Sequence, residues 1–396
     1  MNGGRQKLFF FLFLLMLVGL MASRALLSIA PVAMVLVLIV FIPSVKALFR
    51  QPMVAWSFVP LLLFLTGWYQ APLHLETYDY LLTLLMYPIA ALAGCCYISK
   101  NAKIYQYAWL IVGGLSLLYP AFWYINHATE VNAAYGRGQS LPTFMSGDHI
   151  RYGLFLNSML LIGATIPTRR YILRNVLLLL LVAIIVIMAV RTAWISMIII
   201  IMFAAFAKTI EARRLFKGLL AALIPIAIAA YLVVPTVKQK VNYALYDHQQ
   251  YQQQQDISYS DGVRRSINTA AWKSITEDKA GGAGWAAVPA NIQQRYTKVY
   301  GAPPPFNWPF NQWLFWWMGG GLVAVILFSC WLLYPVWWGF KNNNAAVACW
   351  TLVIAASCMV ESTLSLQYGV LVHVWPLALL WKHKPSISET SEGKNC

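Results

Sequence analysis

The chain has 396 residues, 60% hydrophobic and 11% charged, with 29 Lys and Arg against 13 Asp and Glu for a formal charge of +16. An ordinary soluble protein carries about 25% charged residues, so this composition excludes a soluble enzyme, a disordered chain and a disulfide scaffold. What remains is a polytopic membrane protein, and at roughly 20 apolar residues per crossing there is room for about a dozen spans.

In chain order, the apolar runs predict spans over 8–22, 25–42, 53–71, 79–98, 104–125, 150–167, 171–190, 192–207, 218–235, 310–338, 345–361 and 364–381. The expected fold is an all-α membrane bundle of about 12 helices with one large outer loop holding short amphipathic helices. Residues 1–235 carry the first nine spans, 236–309 the loop, 310–381 the last three spans and 382–396 a tail. The first run lacks a small-residue cleavage site, so it reads as a retained helix.

Basic residues in short loops set orientation. With both termini in the cytoplasm, the inner segments hold Arg5, Lys7, Lys46, Arg50, Lys100, Lys103, Arg169, Arg170, Arg174, Lys208, Arg213, Arg214, Lys217, Lys341, Lys382, Lys384 and Lys394. That bias accounts for most of the positive charge without nucleic acid. Cys95, Cys96, Cys330, Cys349, Cys358 and Cys396 fall in spans or on the inner side, so no outer disulfide is expected, and Cys95–Cys96 reads as helix packing.

Two polar segments face outward, 126–149 and 236–309, and are expected to sit together over the spans. Within the longer one, the Gln- and Tyr-rich stretch 245–256 reads as a solvated linker. In SDGVRRSINTAAWKSITED, Asp261 is the expected N-cap of an amphipathic surface helix, with Arg264 and Arg265 in its first turn. A Gly-rich turn (Gly281, Gly282, Gly284) follows. A second short helix opens at Pro289 and carries Arg295, Tyr296, Lys298 and Tyr300, and Pro303–Pro309 forms a stiff lead into the tenth span.

Charges at the membrane boundary carry the functional signal. Arg191 lies between two apolar runs, at a tight outer hairpin where an Arg is costly and usually functional. Arg151 follows Asp148 and His149 and reads equally as an ion pair or a site residue. Glu361 is expected to pair with an arginine or cap the next helix, and His373 to be a hydrogen-bonded core residue. The outer face thus gathers Arg151, Arg191, Arg264, Arg265 and Arg295, with few carboxylates nearby. Guanidinium forks match phosphate oxygens, and a helix N-terminus adds N–H donors, which suits a lipid-linked pyrophosphate. The aromatics Trp285, Trp308, Trp313, Trp316, Trp317, Tyr296 and Tyr300 suit sugar rings or an interfacial belt.

In VRTAW at Arg191, SDGVRRSINTAAWKSI, KAGGAGW, RYTKVY and FNQWLFWWMGGGL, taken in that order, the chain resembles the bacterial O-antigen ligase and O-antigen polymerase superfamily. DHIRYGLF and ESTLSLQYGV look similar to further family segments. The resemblance covers most of the chain and is clearest over 186–340. It implies a metal- and cofactor-free glycosyltransferase in the bacterial inner membrane. The donor is then an undecaprenyl-pyrophosphate-linked glycan, and the acceptor a hydroxyl of lipid A-core or another glycan at the periplasmic face. The arginines are implied to hold the pyrophosphate, with Asn311 and Tyr296 among the substrate residues. Members usually carry a His directly before the Asn that opens the span after the loop. That position is Phe310 here, so the base is open among His149, His248, Asp261 and Glu277. The readings that stand beside this one are a polymerase of the same superfamily, a lipid-linked-sugar transporter, and a non-catalytic lipid-carrier-binding relative.

Overall fold

The computed structural model describes residues 3–41, 51–68, 75–98, 101–253, 260–278 and 281–381. Lys46, Arg50, Lys100, Lys382, Lys384, Lys394 and Cys396 lie outside the described residues. The described chain is helical and contains no strand. In order it forms α1 (Gly3–Ala22), α2 (Arg24–Phe41), α3 (Pro52–Phe64), α4 (Leu75–Leu84), α5 (Met86–Ala93), α6 (Ala102–Ser116), α7 (Leu118–Asn126), α8 (Ala128–Gly136), α9 (His149–Thr165) and α10 (Tyr171–Ile187). After a sharp hairpin come α11 (Arg191–Phe206), α12 (Arg213–Ala221), α13 (Leu223–Val233), α14 (Pro235–Gln252), α15 (Ser260–Lys273), α16 (Val288–Tyr300), α17 (Gln312–Lys341), α18 (Ala345–Val360) and α19 (Gln367–Leu380).

Within the described residues, each apolar segment expected to cross is largely helical, as one helix or several in succession; residues 42 and 69–71 of the expected spans lie outside the described residues. Among the described residues, four helices are long and apolar enough to span a bilayer, and a fifth if α12 and α13, bent by 65°, count as one. The burial pattern is that of a membrane protein. Helices α9 and α19 are buried on every face, which a helix apolar all round requires. Helix α13 buries no residue and leaves Ile224, Ile228, Leu232 and Val233 exposed, an apolar surface that water would not tolerate at this extent. His373 is fully buried and bonded to the Tyr87 hydroxyl at 2.9 Å, as the sequence predicts.

The two polar segments do meet. Helix α14 packs along α8; the Tyr135 hydroxyl donates to the Met188 carbonyl at 2.7 Å and Thr236 to Ile187 at 2.6 Å. Both contacts clamp the hairpin before Arg191, where Ala189 takes a φ of 49°, a conformation a non-Gly residue holds only when its surroundings impose it.

Two local expectations are overturned. The stretch from residue 245 is helix through Gln252, the continuation of α14, and the remainder to 253 is a turn; the part from 254 to 256 lies outside the described residues. Thr236, Lys240, Tyr243 and Asp247 recur at helical spacing and give α14 a buried face, and Gln is a good helix former that does not interrupt it. Asp261 is not an N-cap, because α15 already begins at Ser260. The cap comes from the fully buried Asp247, whose carboxylate accepts from the amides of Asp261 at 2.6 Å and Gly262 at 3.2 Å.

The Gly-rich turn and the Gly-Gly-Gly of α17 prove to be two halves of one joint. Helix α17 breaks at Gly321, with φ 74°. The break leaves carbonyls without their helical donors, and Ala283 N donates to Met318 O at 2.8 Å and Gly284 N to Gly319 O at 2.9 Å. A Cβ at Gly282 would meet the Gly321 backbone, and one at Gly319 the Trp285 ring. Trp285 fills the slot and donates to the Phe64 carbonyl at 2.6 Å. Trp285 and Trp316 are therefore core aromatics packed with Phe64, Tyr80 and Phe315, not sugar-facing or belt residues.

Candidate functional site

The hairpin places Arg191 at the first turn of α11, pointing at the first turn of α15. Its guanidinium donates both arms to Asp261, one Nη to each carboxylate oxygen, the second at 2.6 Å. Burial alone raises the Asp261 pKa, but this bidentate bond and the charges of Arg191, Arg264 and Arg265 outweigh it, and the carboxyl sits below its ordinary value. Arg265, one turn along α15, donates to His248 Nδ1 at 3.1 Å and lies over the Tyr251 ring. Arg191, Arg265, Asp261 and His248 line one open cavity of about 370 Å³, together with Trp194 and with Lys240, Val241, Ala244 and Leu245 of α14.

The other predicted residues are arranged around this cavity rather than in it. Arg264 is 3.1 Å from Glu361 and lies 5.1 Å over the Phe310 ring. The residue standing where family members carry His is thus an apolar platform beneath a guanidinium. Arg151 is buried; it pairs with Asp148 at 2.7 Å and donates to the Ser362 carbonyl at 3.1 Å. It therefore holds the segment that presents Glu361. Asn311 caps α17, accepting from the amides of Trp313 at 2.9 Å and Leu314 at 3.1 Å, and donates to Met359 O at 2.9 Å. Tyr296 accepts from Ser266 at 3.4 Å. Arg295 pairs with Glu277 at 2.8 Å and donates to Lys273 O, joining the end of α15 to α16. The expectation of few carboxylates near the arginines is overturned: Asp148, Asp261, Glu361 and Glu277 each meet one. Asp148 stands three residues before Arg151 and is visible as its partner in the sequence; Glu277, Asp261 and Glu361 lie tens of residues from their arginines, and only folding pairs them.

Of the four candidate bases, His248 and Asp261 line the cavity. His149 is pushed below its ordinary pKa, first by burial and then by Lys240, against the pull of Asp148. Two residues escaped the sequence reading, Asp247 and Lys240. Their signal was the i, i+4, i+7, i+11 spacing of Thr236, Lys240, Tyr243 and Asp247, hidden by the polar composition around it.

Taken together, these features define a helical membrane protein with an arginine-lined cavity between α14, α15 and the hairpin that joins α10 to α11. Residues 176–329 match the family model described as O-Antigen ligase. Over that segment the chain is related to the O-antigen ligase and polymerase superfamily, and the match takes in Arg191, Lys240, His248, Asp261, Arg264 and Arg265. A search of curated proteins found no match.

Proposed function

We propose that the chain is an O-antigen ligase-type glycosyltransferase of the bacterial inner membrane. It transfers a glycan from an undecaprenyl-pyrophosphate carrier to a hydroxyl of lipid A-core or a similar acceptor at the periplasmic face, without a metal. About twelve helices cross, both termini are cytoplasmic, and 236–309 is the periplasmic loop. The observation that carries this reading is the convergence of Arg191 and Arg265 on one cavity inside the segment matched by the ligase family.

The diphosphate lies in that cavity. It takes over guanidinium bonds that Asp261 now holds, because Arg forks bind phosphate and carboxylate with the same geometry. The acceptor oxygen attacks the anomeric carbon, the carbon–oxygen bond to phosphate breaks, and undecaprenyl pyrophosphate leaves as the arginines stabilise its charge. The acceptor proton goes to one of the two candidate bases that line the cavity, His248 or Asp261. Each is held by an arginine, His248 at Nδ1 by Arg265 and Asp261 by Arg191, and is released when the diphosphate takes that arginine.

The test is transfer by purified protein given lipid-linked glycan and lipid A-core. Arg191→Ala and Arg265→Ala each lose about 1.5–3 kcal/mol of charge-assisted bonding, so transfer falls roughly tenfold or more while membrane insertion is unchanged. Full activity in both variants would refute the site. A polymerase of the same superfamily differs only in its acceptor. Deletion of the gene separates the two: a ligase loss removes all long chains from lipid A-core, whereas a polymerase loss leaves single repeat units on it.

A further inference from the structure

We propose that Lys240 is a third phosphate-binding cation of this cavity, supplied by α14 beside Arg191 and Arg265; this rests on the pyrophosphate-linked donor proposed above. Lys240 is nearly buried, 9% exposed. Its Nζ donates to the carbonyls of Gly138 at 3.2 Å and Gln139 at 3.4 Å, and the rings of Tyr135 and Tyr243 flank it at 5.7 and 5.8 Å. These contacts fix the head group, and Lys240 is a lining residue of the cavity that Arg191, Asp261 and Arg265 also line. An ammonium carries three N–H donors. Two are held by the carbonyls, so the third is available to an anion in the cavity.

Burial, and then the charge of Arg191, push the Lys240 pKa down to about 8, with Arg264 adding to them and Asp261 opposing. The remaining groups that face it are Tyr135 from α8, His149 from α9, Tyr243, Asp247 and His248 from its own helix, and Arg265 from α15. Burial pushes Tyr135 and Tyr243 up and His149 down, away from the window around pH 8. A diphosphate placed between the cations reverses the balance and raises the Lys240 pKa. Binding therefore draws a proton from solvent above pH 8 and needs none at Lys240 at pH 7, where the amine is already charged.

The experiment is isothermal titration of the detergent-solubilised full chain with farnesyl pyrophosphate, at pH 7 and pH 9 in buffers of different ionisation heat. Wild type is expected to bind and to take up about one proton at pH 9. Lys240→Met binds roughly tenfold more weakly at pH 7 and takes up none at pH 9. Lys240→Arg, permanently charged, keeps its affinity within a few-fold and also takes up none. Wild-type affinity and uptake in Lys240→Met overturn the proposal and leave the donor reading standing. Absence of binding by wild type overturns both. If Lys240→Met does not purify as a monodisperse protein, Lys240→Arg decides: unchanged proton uptake in that variant overturns the proposal.

Discussion

Because Arg191 gives both arms to Asp261, a diphosphate reaching the cavity competes with a resident carboxylate. That makes the acid a brake on ground-state binding as well as an anchor for the arginine. Removing its charge in Asp261→Asn raises farnesyl pyrophosphate affinity roughly tenfold, the size expected of one like-charge neighbour at intermediate dielectric; weaker binding would show that Asp261 only positions Arg191. The acid's depressed pKa also has a sign for stability. The ionised pair contributes fully above the ordinary carboxylate pKa of about 4 and is lost as pH falls through the lower folded value. Thermal denaturation is therefore expected to show a steeper acid loss below about pH 4 in wild type than in Asp261→Asn, and parallel curves would contradict the assignment. The residues legible in the sequence were those whose type alone was anomalous. Arg191 stands out between apolar runs, whereas Lys240 and Asp247 sit in a stretch so rich in polar residues that their burial leaves no compositional trace.

At the scale of elements, the loop is fastened to the bundle by two separate devices. Asp247 caps α15, and Trp285 plugs the joint at the Gly321 break. Asp247→Ala leaves two amides of α15 without their acceptor at a cost of about 1–3 kcal/mol. Because Arg264 and Arg265 ride on that helix, anion binding falls with it. Trp285→Ala removes a buried ring at about 3–5 kcal/mol. Melting temperatures of both variants in detergent check these costs, and unchanged values would mean that the loop is held elsewhere. The helices themselves were legible because their apolar runs are long. The joint was not: the GGAG and GGG motifs read as a turn and a helix segment, and nothing in either announces that one fills the gap in the other. The Gln-rich end of α14 misled for the opposite reason, since a solvated helical face and a linker share a composition.

At the scale of the whole molecule, the account requires the cavity and the basic hairpins to lie on opposite sides of the membrane. Gln249 and Arg214 are both exposed, and they serve as reporters of the two sides. In a cysteine-free background, a membrane-impermeant maleimide is expected to label Gln249→Cys in cells with a permeable outer membrane. Arg214→Cys is expected to react only once the inner membrane is opened; the reverse pattern would invert the orientation. The claim on which the rest depends is that Arg191 and Arg265 jointly hold the carrier's diphosphate. Retention of radiolabelled undecaprenyl-pyrophosphate-linked glycan by the purified protein tests it most directly. The account predicts retention by wild type and a loss of roughly tenfold or more in both Arg191→Ala and Arg265→Ala; equal retention by all three proteins would contradict it.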